Sequence, residues 1–194
     1  MPRLPDHVRP GLQVLFVGIN PGIRSAEIGH HFAGHSNRFW KLLRESGLAP
    51  EAIGPEQDRR LLEWGYGITN LVPRATPGIG DLRPGDYEAG RRRLAALIRR
   101  NRPSIVALVG VTLYRVLFAS PARPSRARAR ERSASGPAPR ASSAAPLGLR
   151  EERLAGVPVF VLPNPSGRNA NFSYVEMLAS FRALGRLIAS RSGD

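Results

Sequence analysis

Four short apolar runs constrain the fold of this chain more than any other feature of its sequence. They are rich in Val, Ile and Leu and are bounded by Gly, Pro or Asn: Leu12–Ile19, Gly67–Leu71, Ser104–Val109 and Val157–Leu162. Such runs are typical of strands that are buried on both faces of a parallel sheet. We therefore predict a central, mainly parallel sheet of four strands.

Helical patterns lie between these runs. Arg38–Ser46 carries apolar residues on one side, Pro84 opens a second helix, and the spacing of Ser173 and Glu176 matches a capping box that starts the last helix. Strands that alternate with helices predict an α/β protein in which both faces of the sheet are covered. The expected architecture is a three-layer α/β/α sandwich that forms one domain over residues 1–194.

The charge balance favours a polyanionic partner. The chain has 29 Lys and Arg against 15 Asp and Glu, which gives a formal net charge of +14. Nucleic acid is the commonest partner of so basic a protein. The sequence contains no cysteine, which excludes disulfides, all-cysteine iron–sulfur clusters and the cysteine-containing zinc site of deaminases.

The segment Ala119–Ala145 departs from the pattern because it is almost entirely Ala, Arg, Ser, Pro and Gly. A segment of this composition buries too little apolar surface to offset its chain entropy. We predict a flexible insertion at residues 119–145. Its arginines either contact nucleic-acid phosphates or belong to a tolerated surface insertion, and the sequence favours neither reading.

Neither a signal peptide nor a membrane span is evident in the sequence. No apolar core of a signal peptide follows Met1. No stretch approaches the ~18 consecutive apolar residues that a membrane span requires. We expect a soluble, cytoplasmic protein with no membrane partner.

The first apolar run leads directly into Gly18–Gly22, which reads Gly-Ile-Asn-Pro-Gly. Asn20 is therefore expected at the carboxyl edge of the sheet, where open α/β folds bind ligands. The spacing matches neither the dinucleotide-binding motif nor the P-loop, and by itself it is typical of a simple turn. Two further motifs follow: Gly29–Phe32 (Gly-His-His-Phe) and Asn37–Lys41 (Asn-Arg-Phe-Trp-Lys).

These motifs, with Asn164–Gly167 (Asn-Pro-Ser-Gly) after the fourth run, resemble those of the mismatch-specific uracil and thymine DNA glycosylases. That family is a branch of the uracil-DNA glycosylase superfamily, and the resemblance runs in matching order from about Gln13 to Ile188. It implies a monofunctional hydrolase of base excision repair that flips uracil out of G·U or G·T mismatched double-stranded DNA. Thymine and exocyclic cytosine adducts are further expected substrates.

The resemblance also assigns roles within the first site. Asn20 is expected to position the attacking water, Phe32 to stack on the flipped base, and Ser25 or Ala26 to lie near the 5-position of that base. Backbone N–H groups near Ile19 and Phe32 are expected to stabilise the oxygen of the departing base. A carboxamide oxygen can aim a water molecule but cannot take its proton, so Asn20 predicts a slower enzyme than relatives with Asp at this position.

The second site is the expected intercalation loop, which enters the duplex and fills the gap left by the flipped nucleotide. By resemblance it consists of Asn164, Pro165, Ser166, Gly167 and Arg168. Some relatives place a leucine wedge where this chain has Arg168. An arginine can stack through its planar guanidinium or bind the edges of guanine.

Asp81 follows the second apolar run and is a candidate auxiliary catalytic residue, with helix capping before Pro84 as the alternative. His30, His31 and His35 fit no common zinc spacing, so we expect no metal and no cofactor, and we expect a monomer. Two other functions stay open: a glycosylase for single-stranded uracil or other deaminated bases, and a catalytically weak DNA-binding module. A nucleotide-binding enzyme is disfavoured by the lack of a phosphate-binding loop.

Overall fold

Five strands and five α-helices make up the fold in residues 3–118 and 145–192, which this computed structural model describes. The strands are β1 (Val14–Gly18), β2 (Tyr66–Asn70), β3 (Ile105–Val109), β4 (Gly148–Leu154) and β5 (Val157–Leu162). The α-helices are α1 (Ile23–Ile28), α2 (Phe39–Glu45), α3 (Pro84–Asn101), α4 (Val111–Phe118) and α5 (Tyr174–Ser192). Two 3₁₀ helices span Pro55–Trp64 and Ile79–Asp81.

The strands form one sheet in the order β2-β1-β3-β5-β4. The pairs β1/β2, β1/β3 and β3/β5 are parallel, and β4 is antiparallel to β5. Gly18 is paired with Asn70 at the carboxyl ends of β1 and β2. The predicted mainly parallel α/β sheet is therefore confirmed.

The prediction of four strands was wrong by one, because β4 was not recognised. The residues of β4 alternate between half-buried and exposed, and the strand carries the charged run Arg150–Arg153. An edge strand with one face exposed to solvent has no continuous apolar run. Its charged residues also discourage pairing with the strands of other chains. Continuous apolar runs indicate only strands that are buried on both faces, and β4 is not such a strand.

Helices cover both faces of the sheet, which confirms the predicted three layers. On one face, α2, α5 and the 3₁₀ helix Pro55–Trp64 pack against β1, β2, β3 and β5. On the other face, α3 and α4 pack against alternate residues of the same sheet. Successive residues of each strand point to opposite faces of the sheet, so alternate side chains belong to the two cores.

Several local predictions agree with the structure, whereas α1, α4 and the 3₁₀ helices were not predicted. Phe39 and Trp40 belong to the core, as expected. At the start of α5, the amide of Ser173 donates to Glu176 Oε2 at 2.7 Å, and the amide of Glu176 donates to Ser173 Oγ at 3.3 Å. This is the predicted capping box.

An N-terminal strap, defined here as residues 3–8, lies along the outer edge of β2. The amide of His7 donates to the Ile68 carbonyl at 3.0 Å, and the amide of Ile68 donates to the His7 carbonyl at 2.9 Å. Asp6 accepts two hydrogen bonds from Arg93 Nη2 of α3, at 2.6 and 2.7 Å. The strap is therefore fixed both to the sheet and to the helix that covers it.

The sequence also led us to expect no membrane span and a flexible insertion. Among residues 3–118 and 145–192, no helix is both long and apolar enough to cross a membrane. The flexible insertion predicted at residues 119–145 lies outside the described residues, except for Ala145.

Candidate active site

A cleft of about 500 Å³ opens at the carboxyl ends of the parallel strands. Its walls come from four main places in the sequence: the turn after β1 together with α1, residues 32–37 before α2, the turn after β2 and the loop after β5. The predicted site residues that line it are Ile19, Asn20, Ser25, Phe32, Asn164, Ser166 and Arg168. The structure thus brings the predicted first site and the predicted intercalation loop together across one cavity, as the parallel topology requires.

Asn20 lies directly after β1 with its carboxamide held by two hydrogen bonds. Its Nδ2 donates to Thr76 Oγ1 at 2.7 Å and to the Pro21 carbonyl at 3.1 Å. The Thr76 hydroxyl donates in turn to the Gly78 carbonyl at 2.6 Å, so it receives the Asn20 proton through a lone pair. With both amide protons directed to protein, the carboxamide oxygen of Asn20 is the atom left to accept a hydrogen bond in the cleft.

Phe32 forms an aromatic wall of the cleft. Its ring stacks on Phe39 with centroids 4.2 Å apart and an interplanar angle of 22°, and Phe39 is fully buried. The backbone of Phe32 has a φ of 52°, which is uncommon for a residue with a side chain. One face of this ring is fixed by the core, and the ring also borders the cleft.

The backbone after Phe32 is held by α1. The Ala33 amide donates to Ser25 Oγ at 3.0 Å, and Arg24 Nε donates to the Ala33 carbonyl at 3.0 Å. Ser25 is only 5% exposed, so its hydroxyl serves this turn while its small side chain leaves space in the cleft. Ile19 is also engaged through its backbone, because its carbonyl accepts from the Val72 amide at 2.9 Å.

Asn70, at the end of β2, is a polar residue of the cleft that the sequence analysis missed. It is 5% exposed and lines the cavity. Its Oδ1 lies over Gly18, at 2.5 Å from the position that a Cβ on Gly18 would occupy. The sequence did offer a signal, because Asn70 is a polar residue at the end of an apolar strand. The structure pairs it with Gly18, two residues before Asn20.

The loop Asn164–Arg168 forms the opposite wall and is braced by its own side chains. Asn164 Oδ1 accepts from the Ser166 amide at 3.0 Å, and the Arg168 amide donates to Ser166 Oγ at 3.3 Å. The Arg38 amide donates to the buried Pro165 carbonyl at 2.9 Å. Arg168 is exposed at the rim, where its guanidinium is accessible to a bound polyanion.

Asp81 does not line the cleft, although neighbouring residues of its turn do. Its Oδ2 accepts from the Gly78 amide at 3.0 Å and so stabilises the 3₁₀ helix Ile79–Asp81. The start of α3 is capped by a different carboxylate, because Asp86 accepts from the Arg83 amide at 2.9 Å. Asp81 therefore caps its own turn rather than the helix that begins at Pro84.

Three histidines and Asp58 form a cluster behind the cleft that the sequence did not predict. Asp58 Oδ1 lies 3.1 Å from His7 Nε2 and 3.3 Å from His30 Nδ1, and Asp58 Oδ2 accepts from the His31 amide at 2.9 Å. Burial alone would raise the pKa of Asp58, but the contacts with His7 and the His31 amide hold it below its ordinary value. His35, by contrast, is exposed.

His7, His31 and Asp58 are close enough to be considered as metal ligands. However, both ring nitrogens of His31 have protein partners. Nε2 lies 2.8 Å from the Pro5 carbonyl oxygen, and Nδ1 lies 3.3 Å from Asn70 Nδ2. Both ring nitrogens of His31 are thus engaged, and the cluster supports the cleft through hydrogen bonds.

Comparison with known families agrees with this arrangement. The family model of the uracil DNA glycosylase superfamily matches residues 5–184. That range contains all five strands and every cleft residue described above. It confirms the superfamily that the sequence motifs indicated.

Proposed function

We propose that this chain, which belongs to the uracil DNA glycosylase superfamily, is a monofunctional mismatch-specific DNA glycosylase. Membership supports a DNA glycosylase that acts on uracil. The specific reaction that we propose is hydrolysis of the N-glycosidic bond of uracil in G·U mismatched double-stranded DNA. Thymine in G·T and exocyclic cytosine adducts are proposed as further substrates, and base excision repair as the setting.

The orientation of the Asn20 carboxamide carries the proposal. Its oxygen accepts a hydrogen bond from a water molecule and aims that water at C1′ of the flipped nucleotide. The glycosidic bond breaks through an oxocarbenium-like transition state, and its electron pair leaves with the base. The water oxygen then bonds to C1′ and its proton is released. Asn20 supplies position rather than basicity, so the rate depends on how well the base stabilises negative charge.

The walls of the cleft supply the binding of the base. The ring of Phe32 offers a π-face to the pyrimidine, a contact worth ~1–3 kcal/mol per stacked base. Asn70 Oδ1 lies beside that ring and accepts the N3–H of uracil or thymine. Ser25 is small enough to leave space for a 5-substituent, which supports thymine as a substrate.

The loop Asn164–Arg168 is proposed to enter the duplex from the other side of the cleft. Arg168 at its rim occupies the gap and contacts the opposite guanine through its guanidinium. Flipping costs a few kcal/mol and least for a mispaired base, which favours G·U over A·U. The net charge of +14 strengthens attraction to the phosphate backbone at low salt.

The first test is excision from four DNA substrates carrying G·U, A·U, G·T or single-stranded uracil, each treated with alkali and resolved on a gel. We expect cleavage at G·U, with the rate lowered about 100-fold or more in Asn20→Ala, because the attacking water loses its acceptor. Gln57→Ala is the matched control. It removes an exposed carboxamide that lies outside the cleft and should leave the rate unchanged.

The same assay separates the alternative functions. Cleavage confined to single-stranded uracil would replace the mismatch proposal with a single-strand glycosylase. Tight DNA binding without an abasic product from any substrate would favour a binding module. We also propose that the protein acts as a monomer without metal or cofactor, so activity that a chelator removes would contradict this part of the proposal.

A further inference from the structure

The ring of His31 connects the N-terminal strap to the cleft. Its Nε2 lies 2.8 Å from the carbonyl oxygen of Pro5 in the strap. Its Nδ1, on the other side, lies 3.3 Å from Asn70 Nδ2. His31 is 1% exposed, so these two protein groups are the partners that determine where its proton resides.

The contact with Pro5 fixes the tautomer. A carbonyl oxygen can only accept a hydrogen bond, so Nε2 must carry the proton. Burial lowers the pKa of His31 to about 4, and the ring is therefore neutral at physiological pH. A neutral imidazole with a proton on Nε2 has a bare Nδ1, which is a hydrogen-bond acceptor.

The bare Nδ1 determines which way the carboxamide of Asn70 faces. Only the amide nitrogen of Asn70 can donate, so Nδ2 must face His31. The amide oxygen is then placed over Gly18, beside the tip of the Phe32 ring. If Nδ1 carried a proton instead, the oxygen would turn to His31 and the amide protons would face the cleft.

We propose that His31 is a positioning residue for base selectivity, which fixes the Asn70 carboxamide so that an acceptor faces the base. The inference rests on the proposed function, in which Asn70 contacts N3 of the flipped pyrimidine. Uracil and thymine carry a proton on N3 and match that acceptor. Cytosine has a bare N3 and an amino group at position 4, so its N3 faces the Asn70 oxygen without a proton between them.

The surroundings of His31 hold the ring in this state. The ring of His7 makes a T-shaped contact with it, with ring centroids 5.3 Å apart, and Asp58 binds the His31 backbone amide rather than its ring. The His31 carbonyl accepts from Trp40 Nε1 at 3.1 Å. Asp6 of the strap pairs with Arg93 at 2.6 Å. The charged groups around His31 thus have partners other than its ring nitrogens.

The tautomer is tested directly by long-range ¹H–¹⁵N NMR of the full chain with ¹⁵N-labelled histidine. We expect His31 at pH 7 to show a protonated Nε2 and an unprotonated Nδ1, and to stay neutral until the pH approaches 4. A protonated Nδ1 at pH 7, in either a neutral or a charged ring, would overturn the proposal. The wild-type protein suffices for this measurement.

Selectivity is tested with 5-fluorouracil and 5-fluorocytosine opposite guanine, because fluorine makes both bases better leaving groups. The quantity of interest is the ratio of the two single-turnover excision rates. Since the ratio is compared between variants, the cost of flipping each base cancels. In His31→Leu the amide of Asn70 loses its constraint, and we expect the ratio to fall about tenfold or more.

Two matched variants distinguish positioning from a general structural effect. In His31→Gln, the side-chain amide can both donate to Pro5 and accept from Asn70, so the ratio should be retained. His30→Leu removes the neighbouring ring, which binds Asp58 but not Asn70, and should also leave the ratio unchanged. A fall of the same size in all three variants would mean that only the packing of the cluster matters, and would overturn the proposal.

The excision rates of the wild type and of His31→Leu distinguish an error in the role of His31 from an error in the proposed function. If the wild type excises 5-fluorouracil and His31→Leu keeps the wild-type ratio, the inference is wrong and the glycosylase proposal stands. If the wild type excises no base at all, both fail. If His31→Leu does not fold, the NMR measurement on the wild type and the ratio in His31→Gln decide.

Discussion

Gly18 shows how the absence of one side chain shapes the cleft. A Cβ at this position would lie 2.5 Å from Asn70 Oδ1 and 3.4 Å from the tip of the Phe32 ring. Real Cβ atoms do not tolerate the first of these distances, so any side chain here must displace the amide of Asn70. The glycine before Ile19 is thus required by close approach of a neighbouring side chain rather than by backbone conformation.

Gly18→Ala should therefore impair base recognition. We expect excision of uracil from G·U to slow by about tenfold or more, because the Asn70 oxygen moves from its place beside Phe32. Single-turnover rates and a thermal melt of each variant provide the measurement. Gly85→Ala in α3, where a Cβ meets open space, is the control. A Gly18→Ala enzyme with the wild-type rate would contradict the place of Asn70 in the cleft.

Phe32 illustrates backbone strain at a candidate functional residue. Its φ of 52° lies in the left-handed region, which costs of order 1–3 kcal/mol for a residue other than glycine. The neighbouring residues hold this conformation, because the Ala33 amide is bound by Ser25 and the His31 amide by Asp58. The strain places the ring against both Phe39 and the cleft.

The loop Asn164–Arg168 is attached to the loop that precedes α2. The Pro165 carbonyl accepts from the Arg38 amide at 2.9 Å. A Cβ on Gly167 would lie 2.5 Å from Ser36 Cβ and 2.8 Å from the Ser36 carbonyl oxygen. Because part of this obstacle is backbone, it cannot rotate away. The position of the loop therefore depends on contact with the segment that follows Phe32.

Gly167→Ala should move this loop away from its neighbour without disturbing the core. We expect excision from duplex G·U to slow by about tenfold, while excision from single-stranded uracil, which needs no gap to be filled, stays near the wild-type rate. The comparison of the two substrates is the measurement, provided that the wild type acts on both. Gly80→Ala, where a Cβ meets nothing, serves as the control. Equal losses on both substrates would contradict a role in the duplex.

The buried His31 makes the stability of the folded protein depend on pH. Burial lowers the pKa of His31 from 6.5 to about 4, so the unfolded chain binds a proton that the native protein does not bind between these values. Stability is then fully present above pH 6.5 and is lost as the pH falls toward 4. The shift corresponds to about 3 kcal/mol of unfolding free energy.

Urea denaturation at pH 7, 6, 5 and 4 measures this dependence. We expect the unfolding free energy of the wild type to decrease over this range more steeply than that of His31→Gln, by up to about 3 kcal/mol at pH 4. Asp58 is present in both proteins, so the difference between the two curves isolates His31. Parallel curves would show that His31 is not kept neutral by folding.

The fold class, the parallel strands and the two loops that meet at the cleft could be predicted from the sequence alone. Apolar runs of β-branched residues and Leu predict doubly buried strands, and β5 coincides with the predicted Val157–Leu162. Asn20 and Asn164–Arg168 were placed because parallel strands bring their carboxyl ends to one edge, whereas Phe32 was assigned by the resemblance to the mismatch-specific glycosylases. These features are local or follow directly from topology, so they can be read from the order of the residues.

The distant groups that complete the site could not be predicted from the sequence, because long-range packing brings them together. His7, His31 and Asp58 lie far apart along the chain and meet because the strap folds back along β2. Thr76 and Asn70 acquire their roles from hydrogen bonds to Asn20 and His31. The half-exposed strand β4 likewise has no continuous apolar signal. The orientation of the Asn70 carboxamide and the tautomer of His31 depend on hydrogen-bond partners that only the folded chain brings into contact. The spacing of these residues in the sequence therefore does not predict either of them.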